Sequence, residues 1–332
     1  MDKRLFLISI LLLSVTFWFG SCKSDDDDSE PVKGTLNGDV VSATGSNGIE
    51  GAELHLYNAN TNSPTGLKLV TNASGHFETE LDTGRYFLKI YKQGFESIPP
   101  RGMQSIPFAI VGGETKTLTY NMHPSVVQNG GWITGKITNA PAGTLVVADN
   151  GTNGFSSVTA EDGSYTIYNV EPGSYTVKGW YMGYDCNETS ATVASNAATE
   201  SVNLSMTAGA GNSLSGQISF LATTNIEVDV TLTHIRTRET IPGLSVMTTA
   251  GSYNIENVPA GIYVARASFM NDGKVIDPDW IVKNGEPIVT INVALDMNFS
   301  VTGAVELTGG TNDSTTIEPL QVSATPEFTW AP

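Results

Sequence analysis

Few residues in this 332-residue chain have the type and spacing to do chemistry. His55, His76, His123 and His234 lie apart, and none stands in a His-x-x-Glu or His-Glu-x-x-His spacing that would gather metal ligands and a base. No Gly-x-Ser-x-Gly elbow presents a serine. Cys186 has no histidine near it in sequence and reads as a small buried or edge thiol. The paired carboxylates Glu161-Asp162 precede Gly163, where acidic residues form turns, and a calcium ion needs six to eight oxygens. No catalytic residue, metal ligand or cofactor is therefore assigned, and the chain reads as a non-enzyme.

The remaining candidates are aromatic. Trp180, Tyr181 and Tyr184 cluster in sequence, and Tyr91 is the counterpart of Trp180 in an earlier repeat. Flat aromatics on a solvent face stack on sugar rings, so these four are the candidate ligand-binding residues. The competing account is a bulge at Gly179 that turns Trp180 into the core.

These residues sit on strands. Tyr86, Leu88 and Ile90 alternate with Phe87, Lys89 and Tyr91; Tyr175 and Val177 alternate with Thr176, Lys178 and Trp180. Period two means half-buried strands. No amphipathic helix follows the first twenty-one residues. The strands and their turns recur: Thr71 to Phe77 leads to Gly84-Arg-Tyr86, Thr159 to Tyr165 to Gly173-Ser-Tyr175, and Thr249 to Tyr253 to Gly261-Ile-Tyr263. Ser74-Gly75 and Asp162-Gly163 supply the positive φ of a tight hairpin, while Pro172-Gly173 and Pro259-Ala260-Gly261 supply β-turns. A spacing of just under ninety residues is that of a domain, longer than a solenoid coil. The chain is thus expected to be all-β, with tandem antiparallel sandwiches of about seven strands over 32–124, 130–207 and 212–297. Short joints at 129–131 and 209–211 predict a stiff, rod-like file. Residues 298–332 are either an incomplete further module or extra strands on the third.

The repeated residues resemble the carboxypeptidase regulatory-like domain, a transthyretin-like sandwich of the wider immunoglobulin-like kind. The fullest copy carries Gly38-Asp-Val40, Gly48-Ile-Glu-Gly51-Ala52, Thr71, Gly75-His-Phe77, Gly84-Arg-Tyr86 and Gly94-Phe95; the second keeps Gly135, Thr159, Gly163-Ser-Tyr165, Gly173-Ser-Tyr175 and Gly183-Tyr184. The third diverges, with Asn271 where the last glycine would stand. These are turn and core residues, so the resemblance implies fold more than function. Related pilus modules form Lys-to-Asn isopeptide bonds; Lys136 and Asn203 stand near the ends of the second module, but Gln217 replaces the lysine in the third.

Lys3 and Arg4, the apolar run from Leu5 to Phe19 and the small residues Gly20-Ser21 before Cys22 read as a signal peptide over 1–21, shorter than the ~20 predominantly apolar residues of a membrane span. Phe19-Gly20-Ser21-Cys22 resembles the lipobox of bacterial lipoproteins, with Phe19 where an aliphatic residue is usual; the resemblance implies lipid on Cys22. Within the linker 22–31, Lys23, Ser24, Asp25, Asp26, Asp27 and Asp28 resemble the acidic export signal of Bacteroidetes lipoproteins, which would place the chain on the outer face of the outer membrane. A plain solvated linker is the alternative. With Cys22 lipidated, Cys186 has no partner for a disulfide.

The whole chain carries a net charge of −17, and removal of residues 1–21 makes it one unit more negative. Nucleic-acid binding needs Lys and Arg to displace counterions from phosphates, so it is excluded. The expected role is a non-enzymatic, surface-exposed lipoprotein acting as a spacer or binding scaffold. Its partners are the membrane, through Cys22, and a glycan or a surface protein. The alternatives are a glycan-binding accessory protein of a polysaccharide-uptake system and the accessory region of a truncated larger enzyme.

Overall fold

The computed structural model describes residues 32–100, 103, 105–209, 211–221, 225–269, 274–276, 287–303, 306–307 and 330–331. The expected signal peptide over 1–21, the expected lipid site Cys22 and the expected export signal Lys23 to Asp28 lie outside the described residues.

Module one contains β1 (Gly34–Ser42), β2 (Glu53–Asn58), β3 (Ser63–Val70), β4 (His76–Leu81), β5 (Gly84–Tyr91), β6 (Phe108–Ile110) and β7 (Thr115–Met122). They form two sheets, β4-β1-β7 and β3-β2-β5-β6, around Leu36, Val40, Leu54, Leu56, Phe77, Leu88 and Ile90. Module two adds β8 (Gly131–Thr138), β9 (Leu145–Asp149), β10 (Gly154–Val158), β11 (Ser164–Val170), β12 (Gly173–Trp180), β13 (Tyr184–Cys186), β14 (Glu188–Val193), β15 (Ala198–Thr199) and β16 (Leu204–Ala208). Its sheets run β11-β8-β16-β13, with β15 also beside β8, and β10-β9-β12-β14.

Module three adds β17 (Asn212–Leu221), β18 (Val228–His234), β19 (Thr240–Thr248), β20 (Ser252–Val258), β21 (Gly261–Ser268), β22 (Lys274–Ile276), β23 (Ile288–Ile291), β24 (Leu295–Asp296) and β25 (Phe299–Gly303). Its sheets run β20-β17-β25-β22, with β24 beside β17, and β19-β18-β21-β23. β25 lies parallel to β17 from Ile218↔Phe299 onward, and Phe299 and Val301 are buried in the module's core. A last pair, β26 (Glu306–Leu307) and β27 (Trp330–Ala331), is antiparallel. Every regular element among the described residues is a strand, and the chain is an all-β protein of tandem sandwiches of the immunoglobulin and transthyretin kind.

The repeated sequence does the same job in each copy. Gly75, Gly163 and Gly251 take positive φ at the hairpins, and the hydroxyls of Tyr86, Tyr175 and Tyr263 donate to the carbonyls of Asp82, Glu171 and Pro259, four residues back. One pairing departs from the antiparallel expectation. The first strand of each module lies parallel to the last, as in Gly38↔Leu118 and Ile137↔Leu204, because the two are sheet neighbours that run the same way.

The copies differ at that pairing. Where module one has Phe77, β7 runs unbroken beside β1 for eight residues. Where modules two and three have Tyr165 and Tyr253, the last strand is broken and the phenol hydroxyls take the carbonyls of Val202 and Met297, at 2.5 and 2.7 Å. In the same break, Oδ1 of Asn203 accepts the backbone N–H of Lys136 and Oδ1 of Asn298 that of Gln217. Asn203 therefore fixes strand register, while the Lys136 residue is exposed rather than buried against it for an isopeptide bond.

The expected linear file does not form, because the chain folds back on itself. On the outer face of module one, Tyr57 and Phe87 stack at 4.8 Å and join one apolar cluster with Leu145, Val147, Val158 and Trp180 of module two and Ile241 and Leu244 of module three. Lys89 pairs with Glu239 across modules one and three, and its ammonium lies 4.9 Å from the Tyr57 ring centroid. Asn62 Nδ2 donates to Thr240 Oγ1 beside it. Large apolar side chains on the second face of a sheet contribute about 1.5–3 kcal/mol each when covered, enough to bring the modules together at one junction.

Candidate functional site

Trp180 lies on the face that alternation assigns to it. Pairing runs from Thr176↔Asp149 to Trp180↔Leu145 without a shift, so Gly179 makes no bulge and the indole points away from the module-two core. The residue is nevertheless only 7% exposed. Module three covers it: the ring meets His234 at 5.4 Å and Tyr263 at 5.7 Å, edge to face, while the Lys178 ammonium lies 4.8 Å from its centroid. A Cβ on Gly261 would stand 2.7 Å from the indole, so that approach requires glycine. As a solvent-exposed stacking platform Trp180 is thus corrected, and the cause is tertiary: a neighbouring module, rather than a local kink, buries it.

The other three aromatics also belong to module joints. Tyr91 is half-buried and packs edge to face on His55 at 5.6 Å. His55 is buried beside Glu53, to which Lys68 donates at 3.4 Å. Burial alone would raise the Glu53 pKa, but His55 and the Lys68 charge hold it below the usual range; burial lowers that of His55. Tyr181 and Tyr184, both half-buried, meet edge to face at 5.9 Å around Gly183.

Gly183 N–H donates to the carbonyl of Asn257 in module three. The equivalent loop of module one receives Asn169 of module two: Gly94 N–H donates to its Oδ1, and its Nδ2 donates to the carbonyls of Lys92 and Phe95. Asn169 and Asn257 both take positive φ, +54° and +56°. The two joints are variants of one device, a Gly-aromatic loop closed on a left-handed asparagine. The sequence reading found the loops but missed the asparagines; their shared place before Val-Glu-Pro-Gly and Val-Pro-Ala-Gly was the available signal.

Next to Trp180 an open groove of about 580 Å3 crosses the outer face of β9, β12 and β14. Asp149, Thr176, Lys178, Glu188, Ser190 and His234 line it. Lys178 donates to Glu188 at 3.0 Å, and Arg236 Nε stands 3.7 Å from Asp149, so charges of both signs balance. The groove is within the size range of small-ligand sites. His234 is 4% exposed; its Nδ1 accepts the backbone N–H of Arg236 at 3.2 Å and of Thr237 at 3.4 Å, which leaves the proton of the neutral ring on Nε2. Burial holds its pKa down at about 4.

Cys186 Sγ accepts the Gly179 N–H at 3.3 Å, and burial raises its pKa, which disfavours the thiolate. Among the described residues no three His, Cys, Asp or Glu side chains are grouped to hold a metal ion.

Comparison with known proteins adds likeness at low identity. No protein-family model and no curated protein matches the sequence. Among solved structures, the TIE protein of Bacillus anthracis is 15% identical, with 82% of this chain and 51% of that one covered at a TM-score of 0.24. This chain therefore spans about half the length of that protein. BcpA, the major pilin subunit of Bacillus cereus, is 11% identical over 82% of this chain and 100% of its own, with a TM-score of 0.24. The 5-hydroxyisourate hydrolase of Klebsiella pneumoniae is 21% identical over 27% and 85%, with a TM-score of 0.21.

Proposed function

We propose that the chain is a lipid-anchored, non-enzymatic scaffold of the outer membrane, facing the cell exterior, that holds three β-sandwiches in a fixed mutual arrangement. The observation that supports it is the shared junction. Tyr57, Phe87, Trp180 and the Lys89–Glu239 pair spend the second faces of two sheets on neighbouring modules, an investment that suits a rigid body rather than a flexible tether. Lipid on Cys22 supplies the membrane contact, and Lys23 to Asp28 the sorting signal. Two or more acyl chains anchor firmly where one binds only marginally. Cys22→Ser is expected to move the protein out of the membrane fraction, and alanines at Asp25 to Asp28 to keep it lipidated but hidden from protease added to intact cells. Normal cleavage and retention of the serine variant would remove the anchor from the proposal.

A second reading, glycan binding, is favoured by the groove. Hydroxyls of Thr176 and Ser190, paired charges at Lys178–Glu188 and the edge of Trp180 suit a neutral polyhydroxylated ligand better than an anion. Binding on a glycan array is expected to fall at least tenfold in Thr176→Ala and Ser190→Ala with the melting temperature unchanged. Equal binding by those variants, or none by the parent chain, would reject the reading.

A further inference from the structure

We infer that the free edge of β7 in module one is a self-association surface at which a second copy of the chain adds its own β7 antiparallel. The three modules carry their own comparison. In modules two and three the sheet continues past the last strand, to β13 on β16 and to β22 on β25, each added antiparallel. In module one, among the described residues, the same sheet stops at β7. Among the described residues, the segment that becomes β13 in module two makes the bridge Phe95↔Pro124, with Glu96 N–H donating to the His123 carbonyl and Ser125 N–H to the Gly94 carbonyl, before it turns to pair Ile98 with Ile90. The edge from Thr115 to Asn121 is left without a neighbouring strand among the described residues.

That edge has the features a strand template needs. It is unbroken, whereas a break interrupts the equivalent edge in both other modules. Thr35 N–H donates to the Glu114 carbonyl and Ala43 N–H to the Met122 carbonyl, so alternation turns Lys116, Leu118 and Tyr120 toward β1. The N–H and C=O of Thr115, Thr117, Thr119 and Asn121 then point outward, and all four residues are exposed. Natural edges are usually protected by proline, a bulge or several charges. This one carries a single charge within Thr115–Met122, Lys116, in a sequence rich in threonine.

Self-pairing fits that sequence. An antiparallel register centred on Leu118 sets Thr117 opposite Thr119 and Thr115 opposite Asn121, so that every outward-facing backbone group meets another. It places Lys116 opposite the half-buried ring of Tyr120 and keeps the two lysines apart. The net charge of −17 opposes association at long range, but at 0.15 M salt charges more than about 8 Å apart are screened. A single strand pair joins two molecules weakly, which suits copies held on one surface.

The register makes the test specific. In cells expressing the full chain with Cys186→Ser, Leu118→Cys places two thiols at the two-fold axis in a non-hydrogen-bonded pair, about 4.5 Å between Cα atoms, within disulfide range. Mild oxidation is expected to give a reducible dimer. Glu78→Cys, on the opposite edge strand β4, is expected to give none. Thr119→Pro removes an outward N–H that module one does not use and is expected to abolish the Leu118→Cys dimer. The pair Thr117→Glu and Thr119→Glu, which sets carboxylates face to face only in the dimer, is expected to do the same. The inference is overturned if Leu118→Cys remains a single chain, if Glu78→Cys cross-links equally, or if the dimer survives both blocking variants.

Discussion

Replacing Trp180 by alanine is expected to cost about 3–5 kcal/mol of stability, the range for deleting a buried tryptophan that its surroundings cannot close over. The loss has two parts. Burial of the indole disappears, together with its edge-to-face contacts to His234 and Tyr263, each worth about 0.5–1.5 kcal/mol beyond area. The hole also opens between modules rather than inside one, because Gly261 was shaped to the indole and has no side chain to fill the space. Urea unfolding of the full chain followed by circular dichroism is the measurement. An early transition for module three, with module two less affected, is the expected pattern, since the core of module two lies on the other side of its sheet. A change below about 0.5 kcal/mol would mean that Trp180 sits at the surface and that the junction is misplaced.

Acid is expected to loosen the same junction through His234. The folded-state pKa of about 4 lies below the ordinary value of 6.5, with burial as the main cause, partly offset by Asp149 and reinforced by Arg236 and Lys178. The unfolded chain therefore binds this proton first. Stability is intact above pH 6.5, falls as the pH drops through the window from 6.5 to about 4, and levels off below it. At 1.36 kcal/mol per pKa unit the full loss is about 3 kcal/mol. His55, lowered in the same direction by burial, adds to it at the other joint. His234→Asn keeps an oxygen acceptor for the N–H groups of Arg236 and Thr237 and removes the titration. Its stability should be nearly flat where that of the parent declines, apart from the contribution of His55. Parallel curves for the two proteins would show that His234 titrates normally and is not enclosed.

The two predictions bear on one cause. Trp180 and His234 are covered by each other's modules, so the junction is where mutation and pH have their greatest leverage. The balanced charges of the neighbouring groove, by contrast, are open to solvent and are expected to matter little for stability.

The strands, their turns and the modular repeat were legible in the sequence because each depends on neighbours within a few residues. Ser74-Gly75 and Asp162-Gly163 demand hairpins wherever they occur, and the alternation through Tyr86–Tyr91 and Tyr175–Trp180 sorts side chains between two faces by geometry alone. Alternation put Trp180 on the outer face, and the unshifted β9–β12 register excludes the bulge that would have turned it inward. What that face met was not legible in the sequence. Period two distinguishes inside from outside of one sandwich, but it is blind to a second sandwich laid over the outside. The burial of Tyr57, Phe87, Leu145, Val147 and Trp180 on that outer side depends on partner surfaces such as Glu239, Ile241, Gly261 and Tyr263, brought beside them by contacts over a hundred residues long in the case of Lys89 and Glu239. The same limit hid the parallel first-to-last pairing and the joint asparagines, since hydrogen-bond partners of Asn169 lie more than seventy residues away. Local sequence determined how each module folds; only the tertiary structure decided which of its surfaces remained surfaces, because burial between modules depends on the summed complementarity of distant faces and leaves no periodic mark in the chain.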